Sequence, residues 1–146
     1  MVIFLLAVFS SYGHYMGMDT VEVKITIPLV PPSANHYKIP TRRETPDGRR
    51  IFVLTPETKA WFGAVATFAR GATMPGDRHC VEFCVYRGKG DRGDLDNYCK
   101  VINDGLVRAG VLRTDDSVVE MHIYKERDAS NPRTEILITE ASNGTN

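Results

Sequence analysis

Four aspartates flank one amphipathic stretch of the chain, and their spacing suggests chemistry on a phosphate. Asp94 and Asp96 precede it, and Asp115 and Asp116 follow it. The apolar residues between them recur at helical spacing: Leu95, Tyr98, Ile102 and Leu106. Such a period predicts a helix with one buried face. We expect Asp94 at the helix start, where a carboxylate can accept hydrogen bonds from free backbone N–H groups.

The acids would repel one another if the connection after the helix folded back beside the helix start. Two carboxylates about 4 Å apart repel by roughly 4 kcal/mol at an effective dielectric near 20. Either protons are shared, or a hard cation such as Mg²⁺ lies between the oxygens, bound also by water and substrate phosphate. Lys100, on the same face as Asp96, would lower the repulsion and could stabilise charge on a phosphate.

Three motifs together resemble a known protein family. The sequences DLDNYCK, DDSVVE and, upstream, PPSANHY are similar to the RusA family of Holliday-junction resolvases, over about 27–139. The resemblance implies a homodimeric, Mg²⁺-dependent endodeoxyribonuclease with a mixed α/β fold. Mn²⁺ would be a substitute metal, and the substrate would be a four-way junction or other branched DNA in recombination and repair. A two-fold dimer suits a junction that is cut symmetrically on two strands.

The resemblance also implies roles for individual residues. Asp94 and Asp96 match the two metal-binding aspartates of the family motif, Lys100 matches its catalytic lysine, and Asp116 matches its third essential acid. The connection from helix to acid is one residue longer here than in the family pattern. Asp115 therefore stays open as the alternative third metal ligand.

The resemblance also implies that a second set of residues contacts DNA. Asn35 and Tyr37 would contact or open the DNA near the junction point, with Tyr37 stacking on a base. Lys89 and Arg92 would contact DNA from the segment before Asp94, where acidic and glycine residues interrupt the basic run. On local chemistry alone, a plain turn is favoured for Pro-Pro-Ser-Ala-Asn over a DNA contact.

Composition indicates one globular domain of ordinary character. The chain has 146 residues, 42% hydrophobic and 25% charged, with zero formal net charge. Zero net charge does not favour nucleic-acid binding, although basic patches can remain local. One such excess lies within 38–50, which reads as a flexible basic loop turning at Pro46-Asp47-Gly48.

The cysteines argue against a disulfide framework or a zinc ribbon. Cys80, Cys84 and Cys99 give an odd count without a CxxC pair. With His79, the first two could be pictured as metal ligands, but small buried residues in a reducing cytoplasm are the favoured interpretation. We therefore expect a cytoplasmic location.

The two ends of the chain differ from its centre. Residues 1–18 form an apolar leader without charge. It is too short to span a bilayer, which needs about 20 apolar residues, so we expect no membrane association. A disordered segment or a misassigned start is favoured over a targeting signal. The remaining chain divides into an endonuclease domain, 19–140, and a flexible tail, 141–146.

The fold class follows from alternating strand and helix patterns. Strands are predicted at 21–29, 51–54, 80–87, 117–125 and 134–139, and helices at 55–70 and 94–109. This order predicts a single α/β (mixed α+β) domain with a mixed sheet of about five strands and two main helices. Trp61 has apolar neighbours at helical spacing and is predicted to lie in the core.

Two other functional classes are compatible with the sequence. A DNA-binding module without catalysis would use the acids only as helix caps. A sugar-nucleotide transferase would use Asp94 and Asp96 to hold a metal-bound diphosphate, although 146 residues leave little room for its donor and acceptor sites.

Overall fold

A four-stranded sheet and two helices form the body of the domain, and a separate two-stranded hairpin is attached to it. The computed structural model describes residues 21–142; the apolar leader 1–18 and the last four residues of the tail lie outside this range. The elements in chain order are β1 (Glu22–Ile27), a 3₁₀ turn (Ala34–His36), β2 (Lys38–Glu44), β3 (Arg50–Leu54), α1 (Pro56–Phe68), β4 (His79–Arg87), α2 (Leu95–Arg108), a second 3₁₀ turn (Asp115–Ser117), β5 (Val118–Arg127) and β6 (Arg133–Glu140).

The sheet is mixed, which confirms the predicted fold class. Its strand order is β1-β6-β4-β5; β4 and β5 are parallel, and the other pairs are antiparallel. A parallel pair needs a crossover connection, and α2 supplies it. The helix therefore runs back along the sheet from the end of β4 to the start of β5.

The core lies between one face of the sheet and the two helices. Val81, Phe83 and Val85 alternate along β4 and are fully buried. Trp61 on α1 is 1% exposed and donates from Nε1 to the Val101 carbonyl of α2 at 3.2 Å. The prediction that Trp61 is a core residue is confirmed. Gly105 permits the close helix contact, since a Cβ there would lie 3.2 Å from the Trp61 ring nitrogen.

The interpretation of 38–50 as a flexible loop is wrong. β2 pairs antiparallel with β3, so that Lys38 lies opposite Leu54 and Glu44 opposite Arg50. The turn itself lies where it was expected, with Gly48 at a φ of 82°. Six of the seven β2 side chains are exposed, so the strand lacks the apolar alternation that identifies a half-buried strand.

The chain remains packed against the domain for at least one residue after β6 ends. Ala141, assigned to the tail by the sequence, is 7% exposed, and its N–H donates to the Arg78 carbonyl at 3.0 Å. Within the part of the chain that the structure describes, no helix is long and apolar enough to cross a bilayer.

Candidate active site

Asp94 and Asp96 lie together at the exposed start of α2. Asp94 is the N-cap residue, with extended backbone angles as expected, but its side chain makes no capping hydrogen bond. Asp96 is in the first turn. Both residues are exposed, and neither takes part in a salt bridge among residues 21–142. The positive end of the helix dipole favours carboxylates here, and their oxygens are free to bind a ligand.

The loop before α2 is held in place by several contacts. The Asp91 carboxylate accepts from the Gly88 N–H at 2.8 Å, which closes the turn after β4. Lys125 Nζ, near the end of β5, donates to the Gly93 carbonyl at 3.2 Å. Gly93 packs against the buried Tyr98 ring so closely that a Cβ would lie 2.7 Å from Tyr98 Cζ. These contacts fix the position of the helix start relative to the sheet.

Lys100 is engaged with a residue that the sequence did not indicate. Its Nζ lies 3.3 Å from Asp104 Oδ2, and the same oxygen accepts from the Tyr37 hydroxyl at 2.7 Å. The Lys100 side chain is 65% exposed, and exposed ion pairs of this kind are weak. Lys100 can therefore exchange Asp104 for a phosphate at low cost. The i, i+4 spacing was the signal that could have predicted the Lys100–Asp104 pair.

Tyr37 is a packing residue in this structure, not an exposed stacking platform. It is 9% exposed, and its ring meets Phe62 edge-on at a centroid distance of 5.9 Å. Burial and the hydrogen bond to Asp104 raise the pKa of Tyr37 to about 12. The expectation that its ring is open to a base is therefore not met, because both the ring and the hydroxyl have protein partners.

The third acid lies at the other end of β5 from the first two. Asp115 and Asp116 form the 3₁₀ turn that leads into β5, and Ser117 Oγ is 3.0 Å from Nδ1 of His79, the first residue of β4. Gly93, in contrast, contacts Lys125. At about 3.3 Å per residue, the eight steps from Ser117 to Lys125 span roughly 26 Å.

Within one chain, therefore, Asp94 and Asp96 share the start of α2, but Asp115 and Asp116 lie at the opposite end of β5. The connection after α2 does not fold back beside the helix start, because a parallel crossover returns the chain to the start of β4. Two carboxylates remain on one side of the molecule, with the third acid across it.

A cleft next to the helix start is lined by two of the four predicted DNA-contacting residues, Asn35 and Arg92. It has a volume of about 650 Å³, and Asn35, Arg92, Lys38 and Tyr98 are among its lining residues. Asn35, Arg92 and Lys89 are all exposed. The structure thus gathers Asn35 and Arg92, which are far apart in sequence, on one surface beside Asp94.

The compact group of metal-ligand types in the described residues is a different one, Cys80, Glu120 and His122. The alternative ligand His79 is excluded by its contacts: Nε2 donates to the Pro75 carbonyl at 2.9 Å, and Nδ1 pairs with Ser117 Oγ. Cys84 is buried as expected, but Cys80, for which burial was also expected, is only partly buried; all three cysteines are free. The alternation of Glu120 and His122 along β5 was the only sequence signal for this group.

Comparison with known proteins adds a family to this geometry. The family model described as endodeoxyribonuclease RusA matches residues 28–139, a range that contains β2 to β5, the cleft and all four aspartates. A search of curated proteins finds no match. The matched range covers most of the chain and includes the motifs that position Asp94, Asp96 and Asp116. The chain therefore belongs to the RusA family of endodeoxyribonucleases, the Holliday-junction resolvases that hydrolyse DNA.

Proposed function

We propose that this protein is a Mg²⁺-dependent resolvase that cuts four-way junctions and related branched DNA by paired phosphodiester hydrolysis in recombination and repair. The observation that carries the proposal is the start of α2. Asp94 occupies an N-cap position without capping the helix, and Asp96 follows it in the first turn, beside a cleft lined by Arg92 and Asn35. A purely structural acid at this position would use its carboxylate as a cap.

The donor set at the helix start fits a hard divalent cation. Mg²⁺ is commonly held by one or two carboxylates, with water and phosphate oxygens in its other positions. Asp94 and Asp96 would hold it, and Mn²⁺ would fit the same oxygens. When bound, the cation supplies Lewis-acid polarisation of the scissile phosphate. Lys100 would leave Asp104 to stabilise negative charge on that phosphate or to position the attacking water.

The third acid would come from a second copy of the chain. β5 is an edge strand of the sheet, and its Val119 and Tyr124 are 45% and 48% exposed. Two β5 strands paired antiparallel about a two-fold axis would bring the start of one beside the end of the other. Because the end of β5 contacts Gly93, Asp116 of the second copy, or alternatively its Asp115, would approach Asp94 and Asp96.

The proposed DNA surface surrounds this acid group. Arg92 and Asn35 would contact the DNA from the cleft, and Lys89 from the turn before α2. We assign Tyr37 a supporting role. Its hydroxyl donates to Asp104, and Asp104 in turn pairs with Lys100 and so sets the position of Lys100 when no DNA is bound. The free cysteines agree with a cytoplasmic location, where thiols stay reduced.

The first test is cleavage of a four-way junction by the purified protein, with a linear duplex of the same sequence as the control. We expect paired nicks in the junction with Mg²⁺, none without it, and an intact duplex. Asp96→Asn should abolish cutting and leave junction binding equal or tighter, because a negative charge near phosphate is removed. Metal-independent cutting, or full activity in Asp96→Asn, would contradict the proposal.

A further inference from the structure

A second group of metal-ligand side chains lies on the face of the sheet opposite the helices. Cys80 Sγ, one Glu120 carboxylate oxygen and one His122 ring nitrogen all lie within 4.8 Å of one another. Nε2 of His122 is 2.7 Å from Glu120 Oε1. We propose that these three residues form a binding site for Zn²⁺, separate from the acids at the start of α2.

The strand register brings the three ligands to one face. Cys80 on β4 lies directly opposite Glu120 on β5, and His122 is two residues further along the same strand. In a strand, residues two apart point to the same face. The sheet thus presents two ligands from one strand and one from its neighbour, and the β-ladder fixes the spacing of the backbone beneath them.

An irregularity in β5 is what turns Glu120 and His122 toward Cys80. His79 pairs with Val118, but Cys80 pairs with Glu120, so Val119 is the extra residue of a bulge. Without the bulge, Cys80 would face Val119, and both Glu120 and His122 would point toward the helices. Bulges re-aim side chains in this way. The same shift turns Met121 and Ile123 to the core face, where they pack against it.

The ligand types select a borderline-soft metal. Zn²⁺ binds thiolate, imidazole and carboxylate in a tetrahedron, at distances that place ligand atoms roughly 3.5 Å apart. The three side chains need only small rotations to reach this spacing. Glu120 and His122 are free to rotate, because their side chains are 49% and 44% exposed. Mg²⁺ prefers an all-oxygen set, so the two sites would take different metals.

The three side chains would leave one position of the zinc tetrahedron open. Thr139 of β6 lies opposite Cys80 on its other side and can support the sulfur as an outer-shell partner. No described element covers this face, so water or another small ligand can take the fourth position. A bound Zn²⁺ would join β4 to β5 at Glu120, four residues after Asp116, and would hold the start of β5 in register.

Cobalt substitution tests the proposal directly. Co²⁺ added to the purified wild-type protein should produce a thiolate-to-metal charge-transfer band that saturates at one ion per chain and disappears when Zn²⁺ is added. Cys80→Ser should abolish the band, and His122→Gln should weaken Co²⁺ affinity at least tenfold. Because His122 is exposed, that variant is expected to fold normally. No band in the wild type, or an unchanged band in Cys80→Ser, would overturn the site.

Two controls separate this site from other thiols and from the proposed active site. Cys84→Ser removes a buried thiol on the same face of β4 and should leave the band unchanged. Asp96→Asn should also bind Co²⁺ normally, even though it is inactive on DNA. Zn²⁺ should slow alkylation of Cys80 by at least tenfold, whereas Mg²⁺ should not slow it. Equal protection by both ions, or loss of the band in Cys84→Ser, would contradict the assignment.

Discussion

Gly93 shows how a residue without a side chain can control the acids next to it. A Cβ at this position would lie 2.7 Å from Tyr98 Cζ, and Tyr98 is 2% exposed, so its ring has no room to retreat. A larger residue must therefore push the loop outward and carry Asp94 with it.

We expect Gly93→Ala to fold but to cut junctions about a hundredfold more slowly, since displacements of about 1 Å at a reacting centre cost this much. The measurement is the single-turnover cleavage rate with saturating Mg²⁺, together with the melting temperature. Gly63→Ala is the matched control, because a Cβ there meets nothing within 4 Å and alanine favours a helix. Equal rates for the two variants would show that the Gly93 contact does not position the acids.

Tyr37 makes the free energy of unfolding depend on pH in the alkaline range. Burial first, and then the hydrogen bond to Asp104, raise its pKa to about 12, while the unfolded chain ionises near pH 10. The folded state thus keeps a proton that the unfolded state loses. This contribution to the free energy of unfolding is complete below about pH 10 and is lost as the pH rises toward 12.

The urea midpoint should therefore fall between about pH 10 and pH 12, and Tyr37→Phe should fall less over that interval. Some decline will persist in the variant, because burial also raises the pKa of Tyr86 to about 12. Tyr124→Phe, at an exposed position, is the control and should follow the wild type. A Tyr37→Phe curve parallel to the wild type would contradict the role assigned to this hydroxyl.

At the scale of elements, the β2–β3 hairpin carries a group of exposed arginines. Arg42, Arg43 and Arg50 are exposed and form no salt bridge among the described residues, whereas Arg49 pairs with Asp47 at 3.0 Å. A two-stranded ribbon can enter the major groove or follow the phosphate backbone. These arginines give the domain a local positive surface for DNA although the net charge of the chain is zero.

Replacing Arg42 and Arg43 together by Ala should weaken junction binding and lower the slope of log K against log salt by about one per lost phosphate contact. Cleavage at saturating protein should be unchanged, because neither residue lies at the acids. Lys24→Ala removes a charge already paired with Glu22 at 2.7 Å and is the control. An unchanged salt slope in the double variant would exclude the hairpin from the DNA surface.

The elements also show which features the sequence can and cannot predict. The helices and the buried strands were readable because apolar residues recur at the correct period, as Val81, Phe83 and Val85 do. β2 was missed because both its faces are exposed. The start of α2 was predicted correctly from Asp94 and the periodicity that follows it. The position of Asp116 could not be predicted, because it depends on strand order and on the parallel pairing of β4 with β5, which are tertiary choices.

At the scale of the whole molecule, the separation of the acids leads to a test of the proposed dimer. A mixed dimer can be made from one subunit with Asp96→Asn and one with Asp116→Asn. If the third acid comes from the other subunit, one of its two sites has lost both acids and the other is complete. If each subunit supplied its own third acid, both sites would be defective.

Co-expression of the two inactive variants should thus restore about a quarter of the wild-type sites, since half of randomly formed dimers are mixed and each has one intact site. The product should be single nicks instead of paired cuts. Each variant alone, measured at the same concentration, is the control. No recovery in verified mixed dimers would contradict the shared site. That result would leave open the separate proposal that the wild-type protein cuts junctions, which the cleavage assay tests.

The distance of roughly 26 Å along β5, from Ser117 just before the strand to Lys125, bears on when the protein can damage DNA in the cell. If the site is shared between two subunits, as proposed, a newly made subunit would be harmless to chromosomes until it met another. Hydrolysis would then occur only in a dimer that already has the two-fold symmetry of a crossed duplex. Unassembled protein would make no stray cuts, and no inhibitor would be needed to prevent them.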